Sequence, residues 1–124
     1  MREILFRGKR RDRNVWIYGG FRKVGGCYEI DDEHGPRETV LRDTIGQYTG
    51  LTDKHGTKIF EGDIVRLDIA GIIFNAVCKF HSGSFGLVWH YMGADRWQAF
   101  TSICHVEYEV IGNIYDNTEL AEGE

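Results

Sequence analysis

Residues 64–69 read Ile-Val-Arg-Leu-Asp-Ile, and residues 72–80 read Ile-Ile-Phe-Asn-Ala-Val-Cys-Lys-Phe. In the first stretch Val65, Leu67 and Ile69 share one face of an extended chain while Arg66 and Asp68 share the other, because successive strand side chains point to opposite sides. In the second, Ile72, Phe74, Ala76, Cys78 and Phe80 align. Phe85, Leu87, Trp89 and Tyr91 line one face of the next segment, Trp97 to Cys104 follows after a turn at Met92–Arg96, and Val106–Val110 alternates again before running on to Tyr115. Alternation of this kind predicts strands with one buried and one wet face. Five of them at intervals of roughly ten residues predict a sandwich or small barrel.

Upstream, residues 50–57 (Gly-Leu-Thr-Asp-Lys-His-Gly-Thr) place Asp and Gly for a tight reversal, and Glu61-Gly62-Asp63 is a second turn. Nearer the N-terminus, Ile4–Phe6 reads as an edge strand, residues 8–14 as a basic turn, and Val15–Tyr18 as a strand ended by Gly19-Gly20. A hairpin around Gly25-Gly26 and short strands at Glu38–Leu41 and Ile45–Thr49 complete this region. The expectation is an all-β protein: one compact domain over residues 1–116, with an SH3-like small barrel at 57–115 packed against a smaller N-terminal β region at 1–49. Residues 117–124 form an acidic C-terminal tail with one helical turn after Asn117.

Composition agrees with that class. Hydrophobic residues make up 42%, charged residues 27% and aromatics 13%, with 16 Gly and one Pro, which favours short strands and tight turns over helices. No apolar stretch approaches the roughly 20 residues of a bilayer span, and the opening residues lack a signal-peptide pattern. Cys27, Cys78 and Cys104 are odd in number and scattered, unlike a secreted disulfide framework. The localisation expected is the cytoplasm of a bacterial host, away from membranes.

The stretch from Ile45 to Val65, IGQYTGLTDKHGTKIFEGDIV, resembles the hallmark segment of the YopX-like family of small phage and prophage proteins. The opening REILFRGKR, the central HSGSFGLVW and the closing VEYEVIGNIYDNTEL fit the same family in the same order. The resemblance implies an all-β protein of phage or bacterial cytoplasm and supplies no catalytic residues. The motif residues Gly50, Leu51, Asp53, Gly56, Gly62 and Asp63 are explained as turn formers.

Chemistry-bearing patterns are sparse. Cys78, His81, His90, Cys104 and His105 lack the paired spacing of a structural zinc site, and adjacent Cys104 and His105 point to opposite faces of a strand. No nucleophile sits in an activating motif, and the glycine pairs lack phosphate-cradle spacing. Neither a catalytic residue, a metal nor a cofactor is therefore expected. Residues 1–13 hold six Lys or Arg against Glu3 and Asp12, whereas residues 107–124 hold six acids and no base. A basic run of Arg7, Lys9, Arg10, Arg11 and Arg13 beside Trp16 suits phosphate contact and base stacking. The net charge of −4 opposes that reading.

The functional expectation is a non-enzymatic accessory protein that binds another protein or itself as a homo-oligomer. The alternative is association with nucleic acid through the basic run and Trp16. An exposed aromatic patch with the basic run folded onto acids favours the first, and an open basic stripe favours the second.

Overall fold

A computed structural model describes residues 3–12, 14–33, 35–102 and 107–122. The chain divides into two compact units, Met1–Gly50 and Leu51–Glu124. Apart from one short helix and two single 3-10 turns, every regular element described is a strand. The all-β expectation holds.

The first unit contains β1 (Phe6–Lys9), β2 (Trp16–Val24), β3 (Cys27–Asp32), β4 (Arg37–Val40), a 3-10 turn at Arg42–Thr44, and the start of β5 (Gly46–Thr52). The ladder runs β4-β3-β2-β1-β5, all antiparallel where register is defined. An isolated bridge between Arg10 and Val40 brings the chain just after β1 back to β4. The ladder thus curls around Ile17, Ile30 and Val40, with Phe6, Tyr28 and Ile45 packed on them. Gly8 lies under Val40, where an added Cβ would stand 2.8 Å from a valine methyl.

Two sequence readings need correction here. β1 runs from Phe6 to Lys9 and does not begin at Ile4, so Gly8 and Lys9 belong to a strand and not to a turn. Gly19-Gly20 does not end a strand, for β2 passes through both. A Cβ at Gly19 would collide with the Asp31 carbonyl, so the glycine permits close approach of β3 and makes no turn.

The second unit continues with β6 (Lys58–Phe60), β7 (Asp63–Ile69), β8 (Ile72–His81), β9 (Ser84–Tyr91), β10 (Ala94–Ala99), a 3-10 turn at Phe100–Ser102, β11 (Glu107–Asn113) and α1 (Thr118–Glu122). β6 is the strand next to β5, and β7–β11 form a five-stranded antiparallel sheet in the order β10-β9-β8-β7-β11. The sequence places its barrel here, and the structure has this meander with β11 returned beside β7. Three turns join it: Ala70-Gly71, Ser82-Gly83 and Met92-Gly93. Both residues of each have positive φ, from 51° at Ser82 to 86° at Gly71. That conformation matches the strand twist in two-residue hairpins. The third turn is shorter than the expected Met92–Arg96, so β10 starts at Ala94 and ends at Ala99. Of the expected strand Trp97–Cys104, Phe100–Ser102 is a 3-10 turn and 103–104 lie outside the described residues.

The inner face of this sheet carries Val65, Leu67, Ala76, Cys78 and Leu87, all fully buried together with Ile59, and Phe100 closes the cluster. Burying each larger aliphatic side chain contributes about 1.5–3 kcal/mol. Two buried carboxylates fix the turns that lead into the sheet. Asp63 accepts the Phe60 amide at 2.8 Å. Between them Gly62, at φ 91°, donates its amide to Cys78 and accepts that of Ile114, both at 2.9 Å. A Cβ at Gly62 would press on the Tyr115 ring at 2.9 Å.

Asp53 has the larger role. One carboxylate oxygen accepts the amides of His55 and Thr57, each at 2.9 Å, and the other accepts Val110 of β11 at 2.8 Å. Burial pushes its pKa upward, but the three amides and the nearby His55 charge outweigh burial and hold the carboxyl below the usual range. A depressed folded value means stability that is complete above the unfolded value, about pH 4, and is lost as pH falls through the folded one. Asp53→Asn places an NH2 donor among amides that need an acceptor and is expected to cost about 1–3 kcal/mol at pH 7. Urea unfolding from pH 7 to below pH 3 should show that cost shrinking as pH falls under about 4. A cost independent of pH would contradict the ionised, amide-bound state.

Candidate interaction site

The outer face of the five-stranded sheet is set by register. Ile73, Val77 and Lys79 alternate along β8, Val77 faces Val88 of β9, and Asn75 faces Arg66 of β7. These residues therefore share the face opposite the Val65–Leu67–Cys78 core. α1 packs against β8 and brings Leu120 to the rim. The result is a groove of about 940 Å3 lined by Ile73, Val77, Val88 and Leu120, with the cations Arg66 and Lys79 and the acids Asp95 and Glu119 among them. Both cations are exposed, and among the described residues neither has an ion pair with a carboxylate. His90, on the same face, is engaged by Asp95 at 3.1 Å.

The apolar surface continues at one end of the sheet. The Ala70-Gly71 and Met92-Gly93 turns lie together there, leaving Ile72 (49% exposed), Ile73 (55%) and Met92 (78%) in solvent. Phe74 and Tyr91 meet edge to face beside them at 5.2 Å. Single exposed apolar residues are ordinary, but a contiguous group that joins a groove marks an interaction surface.

The basic run from the sequence is not one surface. Strand periodicity puts Arg7 and Lys9 on the same side of β1, and both are buried, at 5% and 7% exposure. The Arg7 guanidinium lies 4.6 Å from the Trp16 ring centroid and the Lys9 ammonium 5.6 Å. Trp16 is thus covered by its own cations. Arg10 makes a forked contact with Asp12 and reaches Glu38 at 3.4 Å. Arg11 is exposed, and Arg13 lies outside the described residues.

The turn residues Asp53, Gly56, Gly62 and Asp63 occupy the reversals already described, and Gly50, at φ 91°, lies within β5. Of the residues weighed as metal ligands, Cys78 is fully buried in the core, His81 stands edge-on to Trp97 at 5.0 Å, and Cys104 and His105 fall outside the described residues. Among the described residues no three His, Cys, Asp or Glu side chains gather as a metal site would, and no helix is long and apolar enough to cross a membrane.

Sequence reasoning missed the groove because it followed only the inner alternation. The outer-face run Ile73, Val77 and Val88 is the signal that could have shown it. The placement of Arg7 also separates structural from solvent-facing cations. Arg7→Gln should lower stability by about 1–2 kcal/mol through lost packing and cation–π contact, whereas Arg11→Gln should stay within about 0.5 kcal/mol of the parent. Equal, small effects of the two in urea unfolding would contradict that assignment.

A protein-family model described as YopX protein matches residues 5–122. Among solved structures, the crystal structure of protein EF1440 from Enterococcus faecalis is similar, with 25% sequence identity and a TM-score of 0.52. The match covers 98% of this chain and 100% of that one. No curated protein matches. With nearly the whole chain inside the family match, this chain belongs to the YopX family.

Proposed function

We propose that this chain is a non-enzymatic protein-binding module whose partner lies on the outer face of the five-stranded sheet. The occupant is a segment of another protein that offers apolar side chains beside Asp or Glu. The observation that carries this reading is the pairing of an apolar groove with two cations, Arg66 and Lys79, that have no carboxylate partner among the described residues. The setting we infer is a phage or prophage accessory role in the bacterial cytoplasm.

Charge and shape both support such a partner. Apolar residues at the centre of an open groove supply most of the favourable burial, while flanking charges set register and exclude wrong partners. Val77 and Val88 form a cross-strand pair on that floor. Arg66 and Lys79 flank it, about 10–15 Å apart at the rise of an extended strand. A small-molecule site would instead be more enclosed, with several polar groups converging on one point. The nucleic-acid alternative through Arg7, Lys9, Arg10, Arg11, Arg13 and Trp16 has less support, since Trp16 is covered and Arg10 is paired.

Peptide display on the purified protein tests the reading. Enriched peptides should combine apolar residues with neighbouring acids. Val88→Asp should abolish their binding, and Arg66→Gln with Lys79→Gln should weaken it by about tenfold or more. Absence of enrichment, or binding indifferent to Val88→Asp, would refute it. A concentration-dependent dimer in sedimentation that Val88→Asp dissolves would replace the foreign partner by a second copy of the chain.

A further inference from the structure

A second concavity, of about 490 Å3, lies wholly within the first unit and has a different character. Arg11, Lys23 and Arg42 line it, with Tyr28 and the Gly25-Gly26 hairpin tip, and no Asp or Glu lines it. Three separate elements build it. Arg11 follows β1, where its amide bonds to Thr39 of β4 at 3.2 Å. Lys23 is the cross-strand partner of Tyr28. Arg42 opens the 3-10 turn after β4.

Two of the three cations, Lys23 and Arg42, are held against Tyr28. The Lys23 ammonium and the Arg42 guanidinium stand 5.6 Å and 5.8 Å from the Tyr28 ring centroid. Such contacts steady long side chains that would otherwise lose rotamer freedom on binding. Among the described residues none of the three has an ion pair with a carboxylate, while the nearby acids are taken by other arginines. Glu38 meets Arg10, Glu29 meets Arg22, and Asp31 meets Arg37. Collecting three like charges around one hollow is electrostatically unfavourable. An anion in the hollow reverses the sign of that contribution. At the hairpin tip, nothing lies within 4 Å of where a Cβ of Gly25 or Gly26 would be, so a ligand can reach the main chain there.

We infer that this hollow is a phosphate-binding site, with Arg11, Lys23 and Arg42 as the charge-bearing donors and a nucleotide or single-stranded nucleic acid as the source of the phosphate. Arg42 offers a planar fork suited to two phosphate oxygens, and Lys23 offers a mobile point charge. Tyr28 acts as the support for the cations; Phe21 is stacked on it at 5.9 Å, so it is not an open platform for a base. The site is independent of the groove on the five-stranded sheet and concerns a different ligand class.

Fluorescence anisotropy with a labelled oligo-dT, competed by a mononucleotide and by inorganic phosphate, tests this at ionic strengths from about 20 to 200 mM. The expected result is saturable binding that weakens with salt. Arg11→Gln, Lys23→Gln and Arg42→Gln should each reduce affinity by about tenfold and lower the log–log salt slope by about 0.7, the value for one phosphate contact on a single strand. Competition by mononucleotide as strong as by oligonucleotide identifies a nucleotide site, and competition by oligonucleotide alone identifies a chain; both support the phosphate assignment. No binding of any of the three ligands at about 20 mM overturns it. So does binding that survives all three substitutions and falls instead with Arg66→Gln and Lys79→Gln. Thermal melts of the single variants keep the comparison interpretable, since Arg11 and Lys23 are not part of the buried core.

Discussion

One carboxylate holds the reversal from which the second unit is built. Asp53 accepts amides from its own turn, at His55 and Thr57, and from Val110, more than half the unit away in sequence. A turn alone needs only the first two. The third ties the turn to β11, and β11 lies beside β7 at the end of the sheet order. Asp63 and Gly62 repeat the device one step later, where Gly62 is bound on both sides by the main chain of Cys78 and Ile114. Buried acceptors of this kind are costly unless fully engaged, and here the engagement specifies where the chain must reverse.

That constraint also accounts for the segment that marks the family. Between Gly50 and Asp63 the segment holds, beside the buried Ile59 and Phe60, glycines at positive φ and acids that bind amides. These are requirements of a backbone path, and they need no substrate. The functional reading accordingly rests on surfaces that the path presents: an apolar groove with two cations on one unit, and a basic hollow around Tyr28 on the other.

How far the sequence revealed this depends on the physics of each part. The strands of the five-stranded sheet were legible because Val65, Leu67 and Ile69 alternate with polar residues, and Phe74, Ala76 and Cys78 recur at the period of a strand. The turn after Tyr91 was legible, but its two-residue length was not, since a methionine in the left-handed region gives none of the Asn-Gly or Asp-Gly signal that usually announces a two-residue hairpin. Gly19-Gly20 misled for the opposite reason: glycine serves close approach of strands as well as reversal. The basic run was the least legible feature. A string of cations contiguous in sequence is divided by strand periodicity, so Arg7 and Lys9 go to Trp16 while Arg11 joins Lys23 and Arg42 from other elements. Only the topology brings the last three together.

The most direct test of the Asp53 constraint is residue-resolved amide hydrogen exchange in the parent chain and in Asp53→Ala. The expected result is a joint loss of protection at Thr57 and Val110 that spreads along β11, with the Ile17 and Ile30 amides of the first unit unchanged. Undiminished protection at Val110 in the variant would contradict the claim that this carboxylate holds the turn and the sheet together.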